Sequence, residues 1–266
     1  MDRGLLGITR MAAPSRVQEL AECALSHLDA EKWSVYHRVL RNAEERGIEF
    51  AVGGGFATMA YTAQPRNSKD LDVFIMRHDR EKMIDVLTEA GLRDYFEQEA
   101  YDRSWIYRGS IDGAILDVIW SMANQRAMVD RTWIDGGPRV TTRGVPLRLV
   151  PPEETLWCKL YILQHERCDW PDALNLIYTC GPDLDWRHLL DRLGDDTPLL
   201  AGVLSVFAWA CADRARQLPE WLWSKLDLSR PHPDGGMDVT CKRANLLDTR
   251  PWFTPTIQMA GGVGRC

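Results

Sequence analysis

Three glycines and two aspartates are the residues of this chain best suited to chemistry. Gly53, Gly54 and Gly55 follow a short apolar segment, and Asp70 and Asp72 lie further along in another apolar run. Glycines let a backbone approach a bound group closely. Side chains two positions apart in a strand share a face, so the two carboxylates point the same way and repel each other unless a cation lies between them. The pattern suits a site that grips the phosphates of a nucleotide through divalent metal ions.

A third carboxylate, Asp117, lies in the segment from Ala114 to Trp120, which is otherwise apolar. An unpaired carboxylate inside a buried strand is costly, so Asp117 needs a cation or a hydrogen-bonding partner. We expect it either to complete the metal site or to act as a general base.

The order of these residues along the chain matches the needs of nucleotidyl transfer. That reaction requires a grip on the triphosphate, metal ions bound to its oxygens, and a carboxylate that orients or deprotonates the attacking group. Taken singly, three glycines are explained equally well by a tight turn, and an Asp-x-Asp pair by acids on an exposed edge strand. Their succession favours the chemical interpretation.

The elements that must position these residues follow from periodicity. An apolar strand over 48–52 runs into the glycines, and a helix over 56–61 begins directly after them, with the free N–H groups of its first turn beside the turn. Apolar alternation predicts a strand from Asp70 onward. The next predicted elements are a helix over 80–90 that stops at Gly91 and strands over 101–107 and 114–120.

The second half of the chain has a different texture. After Pro151-Pro152 the apolar spacing is helical throughout, with helices predicted over 153–165, 170–179, 186–193, 199–216 and 219–226. We therefore expect an α/β (α+β) fold in which a small mixed-sheet domain is followed by a helical domain. The predicted divisions are N-terminal helices over 1–47, a catalytic domain over 48–150, a helical domain over 151–228 and a mobile tail over 229–266.

Composition limits the classes of partner. The 266 residues are 45% hydrophobic, enough for a sizeable core, and the formal net charge is −6, which argues against a broad nucleic-acid surface and against a DNA partner. No apolar run approaches the roughly 18 residues that a membrane helix needs. With no export signal apparent and the seven cysteines scattered, we expect a cytoplasmic protein with reduced thiols and no membrane partner.

The segment Val52-Gly53-Gly54-Gly55, followed by Asp70-Leu71-Asp72, resembles the nucleotidyltransferase superfamily with the polymerase-β-type catalytic fold. More specifically, the chain is similar to the bacterial AbiEii-like group, in which Arg-x-Ser/Thr-x-Asp-x-Asp precedes a lone strand aspartate, a helical lysine and Asp-x-x-Asp. The matching residues here are Arg66, Ser68, Asp70, Asp72, Asp117, Lys159, Asp169 and Asp172.

The resemblance implies a role for each of these positions. The residues implied to contact the triphosphate are Gly53, Gly54, Gly55, Arg66 and Ser68. Asp70, Asp72 and Asp117 would hold Mg²⁺, with Mn²⁺ as a substitute. Lys159 would neutralise phosphate charge, and Asp169 and Asp172 would close the site.

Some of these residues also have ordinary explanations. A lysine such as Lys159 on an amphipathic helix usually reaches for solvent. Asp169 could cap a helix, and Arg66 could pair with Asp70 instead of phosphate.

The sequence thus predicts a Mg²⁺-dependent enzyme that moves a nucleoside monophosphate from a nucleoside triphosphate such as ATP to an acceptor, releasing pyrophosphate. The acceptor could be a small hydroxylated molecule such as an antibiotic, a tRNA end or a protein side chain. The main alternative is a non-catalytic nucleotide-binding or regulatory module of the same fold, and a metal-dependent phosphoesterase ranks third. Three strand carboxylates favour the enzyme, because a degenerate site has no use for them.

Overall fold

A mixed five-stranded sheet carries the aspartates in the computed structural model, which describes residues 17–22, 29–64, 68–233, 235–248 and 253. Its strands are β1 (Phe50–Val52), β2 (Asp70–Ile75), β3 (Arg93–Asp94), β4 (Ile106–Ile111) and β5 (Ala114–Ile119), and β6 (Arg139–Thr142) with β7 (Val145–Arg148) forms a separate hairpin. The sheet order is β1-β2-β5-β4-β3, and only the β2–β5 pair within it is parallel. The predicted α/β class is confirmed.

Helices make up most of the remaining chain. They are α1 (Ala30–Glu45), α2 (Gly54–Thr62), α3 (Arg80–Glu89), α4 (Arg131–Asp135), α5 (Pro152–Leu160), α6 (Trp170–Cys180), α7 (Trp186–Leu193), α8 (Thr197–Ala210), α9 (Ala212–Ala215), α10 (Glu220–Lys225) and α11 (Gly236–Leu247). Residues 17–22 are helical as well. None of the helices in these described parts is both long and apolar enough to cross a membrane.

Strand β2 divides its residues between two environments, as its alternation predicts. Leu71, Val73 and Ile75 are buried on one face, whereas Asp70 and Asp72 occupy the other face together with Phe74. Phe74 stacks on Trp133, with ring centroids 5.4 Å apart, and Trp133 in turn contacts Trp157 of α5. The aspartate face is therefore the one on which the helices of the second half pack.

The apolar core is continuous across the predicted boundary at Pro151-Pro152. Buried residues from the sheet and from α5 to α8 form one cluster, and α2 packs directly on α5 and α6. The division into two domains stays a prediction, and these contacts fix the helical half against the strand-to-helix turn.

The structure corrects several predicted boundaries. Strand β4 spans Ile106–Ile111, not 101–107, because Asp112 and Gly113 form a two-residue turn with φ of 48° and 77° that sets its register with β5. Helix α5 ends at Leu160, not at 165. The chain then folds back, with Leu163 bridged to Cys168 and the Asp169 N–H donating to the Ile162 carbonyl at 2.9 Å.

Further differences lie in the part of the chain that follows β5. The predicted helix over 199–216 is broken at Cys211, and the short helix α4, which was not predicted, precedes the hairpin. The predicted mobile tail over 229–266 contains helix α11, and residues 249–252 and 254–266 lie outside the described residues. Cys241 is disulfide-bonded, which corrects the expectation of reduced thiols, although Cys158, Cys168, Cys180 and Cys211 are free.

Candidate active site

The register of the sheet places three charged side chains in one row. Asp72 on β2 is the Cα partner of Asp117 on β5, and Asp117 is the partner of Arg108 on β4. Directly opposed residues in neighbouring strands share a face, and Asp70 joins them two positions before Asp72. We call Asp70, Asp72, Asp117 and Arg108 the sheet cluster.

The glycine turn presses against the Asp72 carboxylate. The Gly53 N–H donates to the Asp72 carbonyl at 3.0 Å, which holds the turn on β2. Gly54 begins α2 with φ of 55°, and a Cβ atom built there would lie 1.7 Å from Oδ2 of Asp72. Only glycine fits this position, both for backbone conformation and for space.

Asp72 is the least compensated of the three carboxylates. Among the described residues, no hydrogen bond reaches its carboxylate, which lies beside Asp70 and Asp117. Desolvation, followed by the charges of Asp70 and Asp117, raises the pKa of Asp72 to about 7, against a lesser opposing effect of Lys159 and Arg167. Part of the Asp72 side chain still reaches solvent, so an incoming ligand has access to it.

Asp117 is compensated by Arg108. The guanidinium donates from Nε to Oδ1 at 2.7 Å and from Nη2 to Oδ2 at 2.5 Å, a bidentate pair, and Nη2 also lies 3.4 Å from Oδ2 of Asp70. Asp117 is only 2% exposed, and burial raises its pKa although the Arg108 hydrogen bonds oppose this effect. The hydrogen bond to Asp117 raises the pKa of Arg108 further.

A second cluster of charged side chains comes from the helical half. Lys159 on α5 donates to Asp169 at 3.0 Å and to Asp172 at 2.7 Å, and Arg167 holds Asp169 through two hydrogen bonds of 3.0 and 2.9 Å. We call Lys159, Arg167, Asp169 and Asp172 the helix cluster. Asp169 precedes α6 but makes no side-chain cap hydrogen bond. Its carboxylate instead accepts hydrogen bonds from Lys159 and Arg167.

The helix cluster has the opposite electrostatic character to the sheet cluster. Burial alone would raise the pKa of Asp169, but the hydrogen bonds and charges of Arg167 and Lys159 outweigh burial and lower the pKa to about 2. Lys159 is 6% exposed, whereas the Arg167 side chain is 58% exposed. Because both cations lower the pKa of Asp72, the helix cluster lies within electrostatic reach of the aspartates.

Two of the predicted nucleotide-binding residues remain to be placed. Ser68 donates from its hydroxyl to the Asp70 carbonyl at 3.0 Å and lies 3.4 Å from Oδ1 of Asp70, so it orients that aspartate. Arg66 lies outside the described residues. The structure thus brings together the glycine turn, Ser68 and the three aspartates, with Lys159, Asp169 and Asp172 gathered nearby.

The carboxylate oxygens of Asp70, Asp72 and Asp117 can be compared with the ligands that a divalent metal ion requires. Asp70 and Asp72 offer carboxylate oxygens, which Mg²⁺ prefers, and a cation beside them would relieve the repulsion that raises the Asp72 pKa. Asp117 fits less well, because its two oxygens already accept hydrogen bonds from Arg108. In the described part of the chain, no group of three or more His, Cys, Asp or Glu side chains is arranged to hold a metal. Two of the three predicted ligands therefore fit the ion.

The sequence also matches a known family. A family profile described as "Nucleotidyl transferase of unknown function (DUF2204)" matches residues 32–189, more than half of the chain. The chain belongs to this family. The match spans both clusters and the glycine turn, so the enzyme is a nucleotidyltransferase. No curated protein matches it.

Solved structures with a related fold share little sequence with this nucleotidyltransferase. The antibiotic-resistance factor ANT(2'')-Ia, in a solution structure, is 20% identical, with 68% of this chain and 95% of that chain covered and a TM-score of 0.43. The lincosamide antibiotic adenylyltransferase LnuA with lincomycin bound is 16% identical, with 54% and 94% covered and a TM-score of 0.39. JHP933 from Helicobacter pylori is 13% identical, with 84% and 98% covered and a TM-score of 0.38. At these scores the likenesses support no conclusion about substrate.

Sequence reasoning missed Arg108 and the part played by Arg167. The Asp112-Gly113 dipeptide is a strong signal for a two-residue hairpin turn, and it would have paired Arg108 with Asp117. Arg167 lies two residues before Asp169 in the sequence, but its contact with Asp169 depends on the fold-back after α5. Neither residue stands out by composition, because both are arginines in polar surroundings.

Proposed function

We propose that this nucleotidyltransferase transfers a nucleoside monophosphate from a nucleoside triphosphate to an acceptor hydroxyl with the aid of Mg²⁺, releasing pyrophosphate. The observation that carries the proposal is the sheet cluster, with three carboxylates on one face directly beside a glycine turn. The family supports the reaction class, and the geometry supports these residues as its site.

Asp70 and Asp72 would hold the metal ion, with Mn²⁺ able to replace Mg²⁺. When bound, the ion supplies neutralisation of phosphate charge and orients the triphosphate. Ser68 holds Asp70 in place for this role. With both oxygens bonded to Arg108, Asp117 would anchor the arginine rather than complete the metal site or act as the general base, the two roles expected from the sequence.

The triphosphate would lie between the glycine turn and the helix cluster. Gly53, Gly54 and Gly55 permit close backbone approach, and the first turn of α2 has no side-chain cap to compete for its N–H groups. Arg167 is the better exposed cation of the helix cluster and is suited to contact phosphate oxygens directly. Lys159 donates to Asp169 and Asp172. It would act mainly by holding these two carboxylates in place and balancing their charge.

In the transfer step the acceptor oxygen forms a bond to the α-phosphorus while the bond from that phosphorus to the β-bridging oxygen breaks. The acceptor hydroxyl loses its proton to solvent water, and pyrophosphate leaves with the electron pair of the broken bond. An acceptor with a free hydroxyl, whether a small molecule, a tRNA end or a protein side chain, satisfies this chemistry.

The motif series also supports a proposal that the enzyme is related to the AbiEii-like group. The contacts that join Lys159 to Asp169 and Asp172 explain why a helical lysine and an Asp-x-x-Asp pair would occur together. Toxin function does not follow from this relation, since Tyr61 and Thr62 stand where toxin relatives often carry His-Gly. The Tyr61 hydroxyl instead donates to the Val150 carbonyl at 2.8 Å, a structural role.

The test is a transfer assay with purified protein, Mg²⁺ and each of four α-labelled nucleoside triphosphates. Fractions containing tRNA, protein or small metabolites from a cell extract serve as acceptors. We expect pyrophosphate release and label in one fraction, both absent with Asp72→Asn. No transfer with any nucleotide and fraction, despite nucleotide binding, would favour the non-catalytic module. Hydrolysis of phosphate esters without any triphosphate would favour the phosphoesterase.

A further inference from the structure

Arg108 occupies the place in the sheet cluster where a second cation would be expected. Asp72, Asp117 and Arg108 form one row across β2, β5 and β4, with the guanidinium at the far end from the glycine turn. In two-metal phosphoryl transfer, two ions about 3.5–4 Å apart share the carboxylates of the site. Here the guanidinium takes up both oxygens of Asp117 and reaches Asp70 at 3.4 Å.

The arginine is held in this position. Its Nε–Oδ1 and Nη2–Oδ2 bonds to Asp117 form a fork that fixes the plane of the guanidinium. The Tyr95 ring lies beneath it, with its centroid 5.7 Å from the guanidinium carbon. The partner Asp117 is almost fully buried, so separating the pair would leave a buried carboxylate uncompensated.

Formal charge leads to the same conclusion as geometry. Three carboxylates and one guanidinium in the sheet cluster sum to two negative charges, which a single divalent ion balances. A second divalent ion bound to Asp117 would have to displace Arg108 from both of its oxygens. The residues left for metal binding are Asp70 and Asp72, next to the glycine turn.

We infer that Arg108 serves as the built-in second cation of this site, so that the protein binds one divalent ion through Asp70 and Asp72. This inference rests on the proposed function, because it assumes that those two aspartates hold a metal ion. Arg108 is a positioning residue in this scheme: it acts through Asp117 and Asp70.

The experiment counts Mn²⁺ ions by electron paramagnetic resonance on the full chain, with a non-hydrolysable α,β-methylene nucleoside triphosphate bound. We expect one ion per wild-type chain and two per Arg108→Gln chain, with the spectral coupling of two nearby ions in the variant. Asp117→Asn in the Arg108→Gln background removes the freed ligand and is expected to return the count to one. Arg108→Lys keeps a positive charge and is expected to hold one ion.

Arg103→Gln is the matched control. Arg103 pairs with Asp94 at 2.5 Å and stacks on Phe96, neither of which belongs to the sheet cluster, so its loss should leave the count at one. Circular dichroism establishes that each variant is folded. If Arg108→Gln is unfolded, the ion counts of the wild-type chain and of Arg108→Lys test the inference, because each is expected to be one.

Three results would overturn the inference, and they differ in what they imply for the proposed function. Two ions on the wild-type chain would refute the role of Arg108 while leaving metal-dependent transfer intact. One ion on folded Arg108→Gln would show that Arg108 does not exclude the second ion. No ion on the wild-type chain, with nucleotide bound, would remove the metal site and the proposed function together.

Discussion

The sheet cluster and the helix cluster contain the same kinds of side chain but differ in charge balance. The sheet cluster has three carboxylates and one cation, whereas the helix cluster has two of each among the described residues. The pKa of Asp72 is raised to about 7 and that of Asp169 is lowered to about 2, although both carboxylates are in crowded surroundings. Burial favours a higher pKa for both carboxylates; the two cations bonded to Asp169 outweigh it, whereas no described cation is hydrogen-bonded to Asp72. The sheet cluster, which has fewer cations than carboxylates, is therefore the one suited to receive a cation.

Asp72→Asn should have the largest effect, because it removes the carboxylate to which no described residue donates a hydrogen bond. We expect loss of transfer by about 100-fold or more, since metal-borne charge stabilisation is worth several kcal/mol. The melting temperature without metal should be unchanged or higher, because one of three repelling carboxylates is gone. Pyrophosphate release and thermal unfolding measure the two effects.

Asp112→Asn is the control for Asp72→Asn. Asp112 lies in the turn between β4 and β5, exposed and with a φ of 48° that asparagine accepts. Its replacement should change neither quantity. A clear fall in the melting temperature of Asp72→Asn would show that Asp72 stabilises the metal-free fold. That result would contradict the view that the sheet cluster has an uncompensated negative charge.

Lys159→Met should have the largest effect on stability. Lys159 is buried between Asp169 and Asp172, and removing one partner of a buried pair costs about 3–5 kcal/mol. Arg41→Met, which removes an ion pair between two exposed side chains of α1, Arg41 and Glu45, 3.5 Å apart, should cost about 1 kcal/mol or less. Urea unfolding measures both.

The same variant separates two roles for Lys159. If Lys159 only fixes the helix cluster, the Michaelis constant for the triphosphate should rise less in Lys159→Met than in Arg167→Gln, where the exposed cation is lost. A greater rise in the lysine variant, with stability unchanged, would return Lys159 to direct phosphate binding.

Gly54→Ala tests how closely the turn approaches Asp72. Alanine at this φ costs about 1–2 kcal/mol, and its Cβ would also collide with the Asp72 carboxylate. Gly113→Ala shares the first cost, with φ of 77°, but has open space around the added atom. We expect Gly54→Ala to be more destabilised than Gly113→Ala, and about a tenfold or greater loss of transfer only for Gly54→Ala. Equal activity in the two variants would mean that the turn can move away from Asp72.

Local patterns were enough to predict most of the sheet cluster. The alternation in β2 gave the shared face of Asp70 and Asp72, and an apolar strand interrupted by one acid marked Asp117 as needing a partner. These inferences depend on neighbours in sequence and on a two-residue period, which the chain obeys here.

The partners of those carboxylates were harder to predict, because they depend on register and on loop direction. Arg108 was missed when β4 was placed five residues too early, although Asp112-Gly113 fixes the pairing. The contact of Arg167 with Asp169 depends on the fold-back after Leu160, where periodicity predicted that the helix continues. A charge pattern shows which groups need partners, and tertiary geometry shows which partners they have.

The two clusters should finally differ in how stability depends on pH. The folded-state pKa of Asp72 lies above its ordinary value of 3.8, so the folded metal-free chain keeps a proton that the unfolded chain has lost. Its contribution therefore weakens as pH rises from about 4 to about 7. The folded-state pKa of Asp169 lies below its ordinary value, so its contribution is present above about pH 4 and is lost as pH falls toward about 2.

Urea unfolding in EDTA across pH 2 to 8, for wild type, Asp72→Asn and Asp169→Asn, measures both slopes. Asp72→Asn should remove the decline toward neutral pH, and added Mg²⁺ should offset that decline in the wild-type chain, because a bound cation favours the ionised carboxylate. Asp169→Asn should be destabilised at pH 7 and approach the wild-type value near pH 2, where the wild-type carboxylate is also neutral. If both variants lost stability toward acid with the same slope, the two carboxylates would be compensated alike, and the charge deficit of the sheet cluster would not be the feature that draws a cation to it.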